Sequence, residues 1–128
     1  MGELPVVGCE KLEKGKLMYL INRAAVIVKA KKPFLDWINY TDGPKFTLEA
    51  INRECHVYLI SEHDTPEQLE EILEVIYEEI FATELGGFCT DQSQWPGINY
   101  ELFGKWFEVE VHSMAFDSYE DEIEKEEF

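Results

Sequence analysis

The residues best placed to do chemistry stand in the pattern Glu108-x-Glu110-x-His112. Successive side chains of a β-strand alternate between faces, so this spacing projects two carboxylates and an imidazole from one surface. Such a set is a half-shell for a divalent transition metal, with His56 or His63 available as a further ligand. The outward face of an antiparallel strand is polar in any case, and no motif with metal-ligand spacing such as HExxH accompanies the cluster. A second set, His112-Ser113 with Asp117, or Cys89 with a histidine, combines a nucleophile with a base. Alternation sends His112 and Ser113 to opposite faces, and neither a GxSxG elbow nor a cysteine-protease signature is present. Cys55 and Cys89 read better as small core residues than as reactive thiols.

A third feature is acidic. Glu67, Glu71, Glu74 and Glu78 step by four, three and four, which on a helix makes one stripe, and Glu70 and Glu79 widen it. Like charges at this spacing weaken a helix by a few tenths of a kcal/mol per pair. With no lysine to relieve them, the stripe suits docking against a basic protein surface or imitating a phosphate backbone, although a simply solvated helix face has the same pattern. The fourth feature is the loop Thr90–Gly97, where Trp95 is held by Pro96-Gly97. An exposed tryptophan there would be a recognition side chain; the competing reading has Trp95 plugging the end of the core.

These residues need elements to hold them. Ala24–Val28 is apolar and β-branched, a buried strand stopped at Lys31-Lys32-Pro33. Pro33 suits the first turn of a short helix whose apolar face is Phe34, Leu35, Trp37 and Ile38. Thr41-Asp42-Gly43-Pro44 is a turn by composition. Thr47 caps a second short helix to Arg53, and His56–Ile60 reads as a second strand. A long helix follows: Asp64 or Thr65 at the N-cap, Pro66 in the first turn, and Gln68 completing a Thr-x-x-Gln capping box. Its core face is Leu69, Ile72, Leu73, Ile76, Tyr77 and Ile80, and Gly86-Gly87 ends it. Asn99 caps a further short helix with Leu102, Phe103 and Trp106. The last strand spans Phe107–Phe116, with Phe107, Val109, Val111, Ser113 and Ala115 on one face and Glu108, Glu110, His112 and Met114 on the other.

The order β-α-α-β-α-α-β, three strands and four helices, predicts an α+β fold or small α/β sandwich with its sheet covered mainly on one face. Residues 1–20 read as an N-terminal extension, 21–117 as a single domain and 118–128 as an acidic tail. A sheet this small has unprotected edges, which leaves strand pairing with another chain open.

The chain has 128 residues with 45% hydrophobic and 13% aromatic content, enough for a packed core without disulfide or metal. Cys9, Cys55 and Cys89 form no CxxC pair, which argues for reduced thiols. With no basic n-region before an apolar stretch at the N-terminus, and no apolar run long enough to span a bilayer, the expected setting is the cytoplasm. The formal net charge is −16, and it is unevenly placed. Residues 1–53 hold nine Lys/Arg against six Asp/Glu, residues 54–128 two against twenty-one, and no Lys or Arg lies between Arg53 and Lys105. Such a field repels nucleic acid and anionic membranes and attracts basic partners, so no direct nucleic-acid or membrane binding is expected.

Several blocks occur in an order that resembles a family of small, acidic, uncharacterised bacterial proteins. They are Asn22–Val28, Pro33–Trp37, Val57–Ile60, Glu78–Phe81, Trp95-Pro96, Trp106-Phe107 and Val111–Met114. The resemblance covers about residues 21–117 and implies an N-terminal segment outside the shared domain. It carries no activity, substrate or cofactor onto any residue, and singles out Asp36, Trp37, Trp95, His112 and Ser113 only as positions to mutate.

Together these features point to a non-enzymatic module that acts through Glu67, Glu71, Glu74 and Glu78 on a basic protein partner, with no cofactor. A nucleic-acid mimic would differ from it only in the partner. The alternative of a different class is a metal-dependent hydrolase with a divalent metal at Glu108, Glu110 and His112.

Overall fold

The computed structural model describes residues 18–40 and 43–128; Cys9, most of the segment 1–20, and Thr41 and Asp42 of the expected turn lie outside the described residues. Strand β1 is Tyr19–Ile21 and β2 Ala24–Ala30, followed by helices α1 (Lys32–Ile38) and α2 (Leu48–Ile51). Then come β3 (Val57–Ile60), α3 (Pro66–Gly86), a 3-10 turn at Gln92–Gln94, α4 (Tyr100–Trp106), β4 (Phe107–His112) and β5 (Ala115–Asp117). The fold is α+β, and its central sheet is antiparallel in the order β3-β2-β4.

The sequence pattern predicts three strands, and the described residues contain five. The expected strand Phe107–Phe116 breaks at Ser113-Met114, and its last part, β5, pairs with β1 in a separate two-stranded ribbon. The cause lies in the register. Ala25 faces His112 in the main sheet and Ile21 faces Ala115 in the ribbon, so one side advances four residues while the other advances three. The extra residue near Asn22-Arg23 acts as a bulge, which interrupts the ladder and kinks it. β1 begins at Tyr19, within the stretch read as an extension.

Local chemistry sets the helix starts. Thr47 Oγ1 accepts from Ala50 N at 3.1 Å and Asn99 Oδ1 from Leu102 N at 2.8 Å, capping α2 and α4. Thr65 Oγ1 accepts from Gln68 N at 3.1 Å, and Gln68 Oε1 accepts from Asp64 N at 2.6 Å. The capping box therefore closes one residue earlier than its usual form, on the residue before the N-cap. α3 ends at Gly86 with Gly87 as its C-cap at φ −67°, right-handed, so no left-handed glycine is needed there.

The core lies on one face of the sheet. Ala24, Val26 and Val28 of β2 are buried against Phe34, Ile80, Phe81, Leu85, Phe103 and Phe107. The rings pack in tilted and edge-on arrangements: Phe34 lies 4.7 Å from Phe107 at an interplanar angle of 52°, and Phe81 meets Phe107 edge-on at 5.2 Å. On the other face Val57, Leu59, Glu108 and His112 are exposed. β2 runs three residues past β3, and the side chain of Asn52 fills the gap. Its Nδ2 donates to Ala30 O at 3.0 Å and its Oδ1 accepts from Ala30 N at 2.8 Å, standing in for a strand residue.

Phe81 has no exposed surface and touches Phe103, Trp106 and Phe107. Phe81→Ala is expected to lower the unfolding free energy by about 3–5 kcal/mol, measured by urea denaturation, a large share of the roughly 5–15 kcal/mol typical of a domain.

Candidate functional site

β4 does place Glu108, Glu110 and His112 on the uncovered face, as alternation requires. Two of them meet: His112 Nε2 lies 2.6 Å from Glu110 Oε2. The other oxygen of Glu110 is taken by Lys29, which reaches across from β2 to 2.7 Å. Lys29 is the register partner of Glu108, so it sits among all three. Its hydrogen bond holds Glu110 below the usual carboxylate range, with His112 adding to the effect, and Glu110 in turn raises Lys29. A divalent ion would have to displace that ammonium. Among the described residues no group of three or more His, Cys, Asp or Glu is placed to hold a metal.

The nucleophile arrangements do not assemble. His112 is bonded to Glu110; Ser113 is exposed at the strand break, and Asp117 Oδ1 accepts from Tyr119 N at 3.0 Å. Cys89 Sγ contacts the Asp91 carbonyl at 3.7 Å. Cys55 is partly buried and donates to Asn52 O at 3.4 Å, and burial pushes its thiol above the ordinary range.

The loop Thr90–Gly97 is tied down at two indoles. Trp95 Nε1 donates to Cys89 O at 2.8 Å, and Trp37 Nε1 to Gln94 O at 3.1 Å. Asp91 caps the 3-10 turn by accepting from Ser93 N and Ser93 Oγ, which holds its carboxyl below the usual range. Trp95 is half-buried, packed on the core cluster, and serves as a plug.

The glutamate stripe is where the periodicity puts it. Glu67, Glu71, Glu74 and Glu78 are all exposed along α3, and none forms an ion pair with a described residue. Glu70 is drawn aside, accepting from Tyr100 Oη at 2.5 Å; burial and that bond raise the Tyr100 phenol.

One carboxylate escapes the sequence reading. Glu84, on the inner face of α3, is only 9% exposed. One oxygen, Oε2, accepts from Tyr58 Oη at 2.6 Å and lies 2.8 Å from His56 Nδ1. A carboxylate only accepts, so the imidazole nitrogen facing it carries the proton. Burial first, then the bond to Glu84, pushes the Tyr58 phenol far above its ordinary range. The signal was a four-residue step from Ile80, the last position of the predicted core face. A cavity of about 210 Å³ opens beside Glu84, walled by Val28, Phe34, Ile51 and Phe88. It falls short of the roughly 300 Å³ at which small-molecule sites begin. The cluster ties β3 to α3.

No known family model, curated protein or solved structure matches the chain. No helix among the described residues is long and apolar enough to cross a membrane.

Tyr58→Phe strips the Glu84 carboxylate of its shortest bond, and a loss of about 1.5–3 kcal/mol in urea unfolding is expected. The raised Cys55 thiol holds less thiolate at neutral pH. In a variant with Cys9 and Cys89 replaced by serine, alkylation should be slower than that of a free cysteine, with a pH midpoint above the ordinary thiol value.

Proposed function

We propose that the protein is a non-enzymatic interaction module whose acidic surface, centred on α3, binds a basic protein partner. The observation that carries this reading is the stripe itself: four exposed carboxylates on one helix face, unpaired with any described cation, in a chain without Lys or Arg between Arg53 and Lys105. Their mutual repulsion weakens the helix, and a cationic partner would relieve it. The same field steers basic proteins toward α3 and repels a phosphate backbone. This reading places the protein in the reducing cytoplasm, where the two partly buried cysteines, Cys55 and Cys89, remain unbridged thiols.

The test is affinity capture from extract of the source cells, comparing the wild type with a variant carrying Glu67→Lys, Glu71→Lys, Glu74→Lys and Glu78→Lys, checked for an intact fold by circular dichroism. The expected result is a basic protein held at low salt, released at high salt, and captured roughly tenfold less or worse by the variant, since several exposed charge pairs are lost together. Equal capture by the two proteins removes the reading.

A further inference from the structure

β3 is an edge of the central sheet, and the Asn52 amide reveals which of its residues face outward. The two bonds from Asn52 reach Ala30 on the side of β2 that faces β3. Alternation along an antiparallel ladder turns Val28, Val26 and Ala24 the same way, and their partners Tyr58 and Ile60 turn back toward them. Val57 and Leu59 are left with N–H and C=O groups aimed away from the sheet. Among the described residues nothing hydrogen-bonds to them.

A groove of about 1100 Å³ runs along this open edge. His56 and the β3 residues Val57 to Leu59 line it; Ile76, Ile80 and Thr83 of α3 face it, and Trp95 adds further apolar surface. Its charged lining is Glu79 and Glu127, with no Lys or Arg. At 3.6 residues per turn Glu79 falls between the glutamate stripe and Ile76, so the acidic surface of α3 continues into the groove. Phe128, next to Glu127 in the C-terminal tail, also borders the groove, with its own side chain fully exposed. Proteins usually blunt a sheet edge with lysine, proline, a bulge or a covering segment. The stretch His56–Ile60 carries neither lysine nor proline, and its apolar Val57 and Leu59 are 59% and 48% exposed.

We propose that an extended segment of a partner protein, bearing lysine or arginine, adds to β3 as a fourth strand. Its backbone pairs with Val57 and Leu59, alternate side chains enter the groove against Ile76 and Ile80, and its cations meet Glu79, Glu127 and the stripe beyond. The inference rests on the acidic-surface reading and gives it a place and a mode. A second copy of this chain is a poorer occupant, because it would bring the same net charge of −16 to the same acidic edge.

The probe is a capped octapeptide of alternating lysine and valine, titrated by fluorescence anisotropy and followed by amide chemical shifts. An otherwise identical peptide with alternate backbone nitrogens methylated keeps the charge but cannot donate to a strand. Saturable binding at least roughly tenfold tighter for the unmethylated peptide is expected, with the largest shifts at Val57, Leu59 and Ile76–Thr83. Equal binding of both peptides, with shifts confined to Glu67–Glu78, overturns strand addition while leaving the acidic-surface reading intact. No saturable binding overturns strand addition, and the charge-reversal capture then decides the reading separately. A dimer in sedimentation, with β3 shifts that vanish on dilution, assigns the edge to a second copy and overturns the proposal too.

Discussion

β2 runs through the middle of a three-stranded sheet, and only one of its faces is buried. Val26 and Val28 press against an aromatic layer contributed by α1, α3, α4 and the start of β4, in which Phe34, Phe81, Phe103 and Phe107 exclude water almost completely. Burial of that much apolar surface is the dominant favourable term in a domain of this size. Most of the rest follows from its being one-sided. The helices gather on the face that β2 offers them, the opposite face stays in contact with solvent, and among the described residues no further strand covers either edge of the sheet.

The uncovered face is where the charged cluster resides, and solvent decides its character. Glu110 sits between Lys29 and His112 at hydrogen-bond distance from both, in a position where water screens every partner. Such exposed pairs contribute little to stability, but they occupy the carboxylate. The opposite case is Glu84. Held in the protein interior, its carboxylate needs donors, and Tyr58 of the neighbouring strand and His56 just before that strand supply them. That bond network anchors β3, the edge strand, to the long helix at a point where apolar packing alone leaves Val57 and Leu59 outside.

The acidic surface and the open edge meet on α3. One flank of the helix faces the core, the opposite flank carries the stripe, and the side between them, through Glu79, borders the groove beside β3. A partner with both cations and an extended segment would use charge for its approach and backbone hydrogen bonds for its register, two interactions with different dependence on salt and on geometry.

The helices were legible from short-range chemistry. Thr47, Thr65 and Asn99 cap the elements that their spacing marks, and the exposed faces of α3 follow from its period of 3.6 residues, because capping and amphipathicity depend on neighbours within a turn or two. β2, β3 and β4 were legible as apolar or alternating runs, and the shared face of Glu108, Glu110 and His112 came from period two alone. The break at Ser113 was not, since it arises from an extra residue on the partner strand near Asn22, more than eighty positions away in sequence. Nor could the sequence reveal that Lys29 would lie against Glu110, or that a glutamate one step beyond Ile80 would find a tyrosine and a histidine. By itself the sequence determined the helices, the three strands of the central sheet, their polar faces and the acidic field, all of which depend on local spacing or on composition. Only the tertiary structure decided which strand is central, which edge is open and which carboxylates are paired, because those depend on contacts between residues that chain order keeps apart.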